Sequence, residues 1–238
     1  MDNMLERLKG GLIVSCYAGA DFNAEMAVPE TMVCVAKSCI AGGAKAIRTN
    51  CENVAAVKAA VDVPVIGLKK IYRSGDMISG DFRITPTLKE VEELIKAGAD
   101  GVAVDGTVRE RYDGKTLEFI GAVKKEFGAF VIADISTVEE GVAAWRCGAD
   151  MVGTTLSGYT PYSKNPLPFG TLPSPEPDYA IIRELRAAGV PYIVAEGRIT
   201  NGEKMRRALD AGAHSVVIGT SITEPRKIVK TILLDAGL

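Results

Sequence analysis

Two adjacent lysines, Lys69 and Lys70, close the apolar run VPVIGLKK, and an acid, Glu196, sits near the end of another, VPYIVAEGRI. A lysine at the end of a buried strand loses hydration, which disfavours its charged form and brings its pKa toward the working pH. That makes it a competent general base, with a neighbouring carboxyl as partner acid. A Schiff-base lysine is the rival chemistry at the same position. A structural ion pair from Lys70 to Asp105 or Asp134 is the alternative without chemistry. Successive residues of a strand face opposite ways, so only one of the two lysines can point inward. Its like-charged neighbour would lower its pKa further.

These residues must be held by elements, and the chain supplies a regular beat of them. Short β-rich runs alternate with helical patterns: GLIVSCYA, KAIRTN, VPVIGLKK, DGVAVDG, AFVIADIS, DMVGTTLSG, VPYIVAEGRI and HSVVIGTSI. Between them lie amphipathic stretches such as LKEVEELIKAGA, and EPRKIVKTILLDAGL closes the chain as an eighth helix. AGGAK, KAGAD, RCGAD, RAAGV and DAGAH read as glycine-terminated helix ends with a strand starting immediately after. The runs are nearly continuously apolar, as expected of a parallel sheet covered on both faces. Eight even units with no break in composition predict an α/β fold, one (β/α)8 barrel over residues 1–238. A doubly wound open sheet is the alternative, weakened by the absence of Gly-x-Gly-x-x-Gly after the first strand.

In such a barrel the active site gathers at the C-terminal ends of the strands. Those ends read Ser15 and Tyr17, Arg48 and Asn50, Lys69 and Lys70, Asp105, Asp134 and Ser136, Thr154, Thr155 and Ser157, Glu196 and Arg198, then Gly219, Thr220 and Ser221. EGRI and IGTSI, after the seventh and eighth strands, fall where barrels bind phosphate through backbone N–H groups. Two long loops, Ile71 to Arg83 and the proline-rich Gly158 to Asp178, follow strands and should cover or shape the same face.

Composition removes other classes. The chain has 238 residues, is 47% hydrophobic and 24% charged, and carries a net charge of −2. Nothing in that balance argues for nucleic acid or an acidic membrane surface. No stretch is long and apolar enough to span a bilayer. His214 is the only histidine, and the five cysteines are scattered without a C-x-x-C pair. No metal site and no Ser-His-Asp triad are expected. Free thiols point to a reducing cytoplasm.

At the strand ends the sequence resembles the N-acylglucosamine-6-phosphate 2-epimerases, also called N-acetylmannosamine-6-phosphate 2-epimerases. The matching segments are GLIVSC, AIR, PVIGLKK, ITPTLKEVEEL, Asp105-Gly106 with Arg109 and DGKTL, ADISTVEEG, TTLSGYTPYS, AEGRI and the run from Ala208 to Thr223. Together they span almost the whole chain. The resemblance implies a barrel that needs no cofactor, is commonly a homodimer, and acts on a small sugar phosphate. It implies Lys70 and Glu196 as catalytic residues, with Arg48, Asp134, Ser157 and Tyr17 around the sugar. Gly197, Arg198, Gly219 and Thr220 would hold the phosphate. Tyr17 stands where such proteins usually have glutamine, and Glu224 where they often have arginine. A related isomerase or aldolase on another sugar phosphate, or a non-catalytic sugar-binding barrel, are the competing readings.

Overall fold

The computed structural model describes residues 2–17, 26–72, 82–110, 118–167 and 175–238. Among the described residues there are ten strands: β1 (Leu12–Cys16), β2 (Ala46–Asn50), β3 (Val65–Leu68), β4 (Lys70–Tyr72), β5 (Phe82–Ile84), β6 (Gly101–Asp105), β7 (Phe130–Asp134), β8 (Met151–Gly153), β9 (Ile193–Glu196) and β10 (Ser215–Ile218). The helices are α1 (Asp2–Leu8), α2 (Pro29–Ala41), α3 (Cys51–Ala60), α4 (Leu88–Lys96), α5 (Glu118–Phe127), α6 (Val138–Arg146), α7 (Tyr179–Ala187), α8 (Gly202–Asp210), α9 (Thr220–Thr223) and α10 (Pro225–Asp235). Eight strands pair in parallel and close on themselves in the order β1-β10-β9-β8-β7-β6-β3-β2, which sets aside the open-sheet alternative.

The alternation of side chains across each strand builds two apolar layers. Ile13, Ala46, Ile66, Ala103, Ile132, Met151, Val194 and Val217 fill the barrel interior. Their neighbours Val14, Ile47, Val65, Val102, Val131, Val152, Ile193 and Val216 face outward under the helices. Each strand is thus buried on both sides, which is why the runs carry no polar alternation. Leu8 of α1 is fully buried in the interior cluster and plugs the N-terminal end. His214 lies at this end too, directly before β10, its Nε2 2.8 Å from the Leu5 carbonyl oxygen and at the opposite end of that strand from Gly219.

The small-residue stops end helices as expected. Gly98 and Gly148 have φ of 93° and 98°, where a side chain would be strained. Ala99 N then donates back to Leu94 O, and Ala149 N to Ala144 O, closing each last turn before the next strand. At the other end, α4 and α6 start in capping boxes, Thr87 with Glu90 and Thr137 with Glu140.

The VPVIGLKK run departs from the expected single strand. The barrel strand ends at Leu68, and Lys70–Tyr72 pairs antiparallel with Phe82–Ile84 as a separate hairpin. Thr85 is the cause. It holds a positive φ of 44°, its N–H donates to Lys69 O at 2.7 Å, and its Oγ1 accepts from Lys69 N at 3.0 Å. Those two bonds pull the chain out of the barrel at Lys69. The ends of the first long loop therefore form a sheet, while its residues 73–81 lie outside the described residues. So do residues 168–174 of the proline-rich loop and 18–25 after β1. TTLSG also leaves the barrel, as a turn after Gly153 rather than strand.

Candidate active site

Parallel strands put all their C-terminal ends at one mouth, and that mouth holds a cavity of about 410 Å³. Arg48 from β2 is its buried centre. Its Nη2 lies 2.5 Å from Asp134 Oδ2 at the end of β7, and its Nη1 donates to Asp134 Oδ1 at 3.2 Å and to Glu196 Oε2 at 2.8 Å. Thr155 completes the group, its hydroxyl 2.6 Å from Asp134 Oδ1 and 2.9 Å from Glu196 Oε2. Gly153 makes room for this: a Cβ there would stand 2.6 Å from Asp134 Oδ1.

Two carboxylates thus share one guanidinium, and Asp134 receives two of its contacts against one for Glu196. Burial alone would pull the Arg48 guanidinium down, but Asp134 and Glu196 together push it up, so it remains charged. Burial also pushes the Glu196 carboxyl up; Arg48 opposes this, Asp134 adds to it, and Thr155 and Lys70 oppose it. The net direction is upward, as expected of the carboxyl with the smaller share of the cation, and it prepares Glu196 to carry a proton.

Lys70 reaches the same cavity. Its Nζ sits 4.5 Å from the ring centroid of Tyr17 and 4.5 Å from that of Phe82. Burial lowers its pKa and Arg48 adds to the effect, while Glu196 and Asp134 partly offset it, leaving the amine at about 8. Lys69 points the other way and pairs with Glu93 of α4 at 2.5 Å. That partner, through a hydrogen bond, raises the Lys69 pKa. Only one of the two lysines is thus both inward and near neutral.

Gly197, Arg198, Gly219, Thr220 and Ser221 line the β9 and β10 side of the cavity, and Tyr17 lines the β1 side. Gly197 and Arg198 have φ of 111° and 61°, so the backbone turns sharply beneath the mouth. The Arg198 side chain is engaged elsewhere: Nε donates to Glu176 O at 3.0 Å and Nη1 to Ser157 O at 2.8 Å. Ser157 itself does not line the cavity; its hydroxyl donates to Asp178 Oδ2 at 2.8 Å and ties the turn to the start of α7. Asp134 lies below the cavity and acts on it through Arg48 and Thr155. Glu224 is 6% exposed, outside the cavity lining, and its Oε1 is 3.8 Å from Arg226 Nε.

Four contributors were not singled out from sequence. Thr155 stood among the strand-end residues, but nothing marked it as the link between two carboxyls. Phe82 belongs to the returning arm of a long loop. Lys227 and Ile228 of α10 line the mouth because only the four-residue helix α9 separates that helix from β10. Among the described residues no group of three or more His, Cys, Asp or Glu could hold a metal ion. Nor is any described helix long and apolar enough to cross a membrane.

A (β/α)8 barrel whose mouth gathers an amine, a guanidinium and two carboxyl groups around one cavity is, in class, an acid–base enzyme. The family described as "Putative N-acetylmannosamine-6-phosphate epimerase" matches residues 32–235. The chain is 43% identical over 232 residues to a Cutibacterium acnes protein named "Putative N-acetylmannosamine-6-phosphate 2-epimerase", covering 95% of this chain and 94% of that one. A Caldanaerobacter subterraneus protein of the same name is 43% identical over 236 residues, covering 96% and 92%. The solved structure of the N-acetylmannosamine-6-phosphate 2-epimerase from Clostridium perfringens superposes with a TM-score of 0.85 at 37% identity, covering 98% of this chain and 96% of that one. The chain belongs to the N-acetylmannosamine-6-phosphate epimerase family, and it is an isomerase.

Proposed function

We propose that the chain interconverts N-acetyl-D-mannosamine 6-phosphate and N-acetyl-D-glucosamine 6-phosphate, with Lys70 and Glu196 moving the protons. The observation that carries this reading is the placement of a half-buried, near-neutral amine and a proton-favouring carboxyl on one cavity. C2 of the ring-opened sugar is α to the aldehyde. Neutral Lys70 takes the C2 proton, the C–H electron pair moves into the C1–C2 bond, and the negative charge develops on the C1 oxygen. Arg48 and Thr155 border the space where that oxygen would form, and fixed donors there stabilise developing charge. Glu196 delivers a proton to the opposite face of C2, which inverts the centre. The phosphate lies toward Gly197, Gly219 and Thr220. No step requires a cofactor.

The test is to follow C2 of N-acetylmannosamine 6-phosphate by proton NMR during turnover in D2O. The expected result is interconversion with deuterium appearing at C2 of the product. Inversion that keeps the original C2 proton through many turnovers would remove this mechanism, and no interconversion at all would remove the substrate assignment.

The pH profile follows from the same assignment. The folded pKa of Lys70 lies below that of an ordinary lysine, so its neutral fraction grows as pH rises through about 8. Initial-rate kcat/KM should climb tenfold per pH unit on the acid side and level off above about 8. A profile flat from pH 6 to 9 would exclude Lys70 as the base.

Residues 1–238 form one barrel domain in this reading, acting as a homodimer in the cytoplasm. Support for a partner copy comes from α10, which has no buried residue and exposes Val229, Ile232, Leu233 and Leu234. The five cysteines are all free, in keeping with a reducing compartment.

A further inference from the structure

The hairpin that carries Lys70 is fastened to the barrel at a second place, by residues that the proton transfer does not use. Lys70 stands opposite Ile84 and Tyr72 opposite Phe82, so these four side chains share one face of the β4–β5 pair. On that face the buried Phe82 ring lies 4.5 Å from the Lys70 Nζ. Thr85 ties the foot of the pair to Lys69. On the β5 side the tie is a cluster of buried polar side chains where β6 ends: Asp105, Thr107 and Arg109.

Asp105 is the centre of that cluster. Its Oδ2 accepts from Arg109 Nη2 at 2.7 Å and from the Ile84 N–H at 3.4 Å. Its Oδ1 accepts from the Thr107 hydroxyl at 2.6 Å and from the Thr107 N–H at 3.0 Å. Arg109 Nε closes the ring by donating to the same Thr107 oxygen at 3.0 Å. A carboxylate gripped from both sides has a fixed orientation. The bond to Ile84 is long, but it is assisted by the charge of its acceptor. Arg83 backs it, with Nε donating to Glu110 O at 3.1 Å, one residue past Arg109. We propose that Asp105 is a positioning residue for the base: gripped by Arg109 and Thr107, it fastens Ile84 to the end of β6 and so keeps the Phe82 ring against the Lys70 amine. This rests on reading Lys70 as the base.

Releasing Phe82 would let water reach the amine, and its pKa, held at about 8 chiefly by burial, should rise toward that of an ordinary lysine. The groups that act on Lys70 directly, Tyr17, Tyr72, Arg48, Asp134, Glu196 and Lys227, all stay in an Asp105→Asn protein. Loss of the Asp105 charge would by itself lower the Lys70 pKa, so the sign of the change separates positioning from direct electrostatics. Asp150→Asn is the control for general loosening. Asp150 is also buried, pairs with Lys124 at 2.6 Å and accepts the Val131 N–H at 2.7 Å, but it precedes β8 at the opposite end of the barrel.

An NMR titration of the Lys70 side chain, assigned by its loss in Lys70→Ala, reads the amine without turnover; the pH profile of kcat/KM reads it in action. Asp105→Asn should raise both midpoints by about one pH unit, costing about tenfold in kcat/KM on the acid side and recovering at higher pH. Thr107→Val keeps every charge and strips a hydroxyl from Asp105 and Arg109. It should move the midpoint the same way by less, and it takes over the test if Asp105→Asn does not fold. Asp150→Asn should lower Tm and leave the midpoint in place. A midpoint that stays or falls in the Asp105 variant, or that rises equally in Asp150→Asn, overturns the proposal. If the unsubstituted protein epimerises nothing, the proposed function fails by itself, and the NMR titration still decides the role of Asp105.

Discussion

Lys70→Ala is expected to lower kcat by about 10²–10⁴-fold, the usual worth of a positioned general base, while the barrel remains folded. The substitution removes an amine whose burial already disfavours its charge, and it strands no carboxylate, because Glu196 and Asp134 keep Arg48. What it loses structurally is the contact with Tyr17 and Phe82, an interaction worth about 0.5–2 kcal/mol. Lys69→Ala is the control, one residue away and equal in charge. It breaks a part-exposed pair with Glu93, of a kind worth about 0–1 kcal/mol, and should change the rate by no more than a few-fold. The readout is initial-rate epimerisation beside circular dichroism for both variants. A severe loss in Lys69→Ala with a mild one in Lys70→Ala would reverse the assignment.

Arg48→Met should have the second largest effect, and on stability as well as rate. Arg48 is 2% exposed and stands between two carboxylates, one of them fully buried. Removing one member of a buried ion pair costs about 3–5 kcal/mol, because the charge left behind has neither water nor partner. At about 2–4 °C per kcal/mol for a domain of this size, Tm should fall by about 6–20 °C. Adding Glu196→Gln to Arg48→Met should recover part of that Tm without recovering activity, since one of the two orphaned charges is gone but so is the acid. Calorimetry on the single and double variants measures this. A Tm unchanged in Arg48→Met would mean that the carboxylates are solvated and the network does not hold the mouth together.

Much of the fold could be read before any coordinates. Eight apolar runs separated by glycine-ended helices leave few ways to bury both faces of every strand, and a closed parallel barrel is one of them. The strand-end rule then located Arg48, Lys70, Asp134, Glu196 and the glycines at one mouth. Alternation said that only one of Lys69 and Lys70 could point inward and the resemblance singled out Lys70, but the structure separates the two differently. Alternation acts within the β4–β5 hairpin, since β3 has already ended at Leu68. Hydrophobic patterning cannot place that boundary, because it is set by a bond from Thr85, sixteen residues downstream of Lys69.

Side-chain partners were the less legible part. The resemblance implies Arg198 as a phosphate ligand, and the residue lines the cavity. Its guanidinium instead bonds the carbonyl of Glu176, in a proline-rich loop whose path no periodicity describes. Ser157 was equally well placed by order along the chain, yet Asp178 takes its hydroxyl. Lys227 lies beyond the last strand end, outside the ring of positions that the barrel rule inspects.

The hairpin has a bearing on how such a chain can change over evolutionary time. Lys70 pairs with Ile84, Ile71 with Arg83 and Tyr72 with Phe82, and below them Thr85 clasps Lys69. The aim of the Lys70 amine is therefore set at the foot of the hairpin, by residues that return to meet it. Insertions or deletions between Tyr72 and Phe82 would leave that pairing, and with it the aim of the amine, in place. The stem of the hairpin is thus the part a lineage must keep, while the length of chain between its two strands is open to variation.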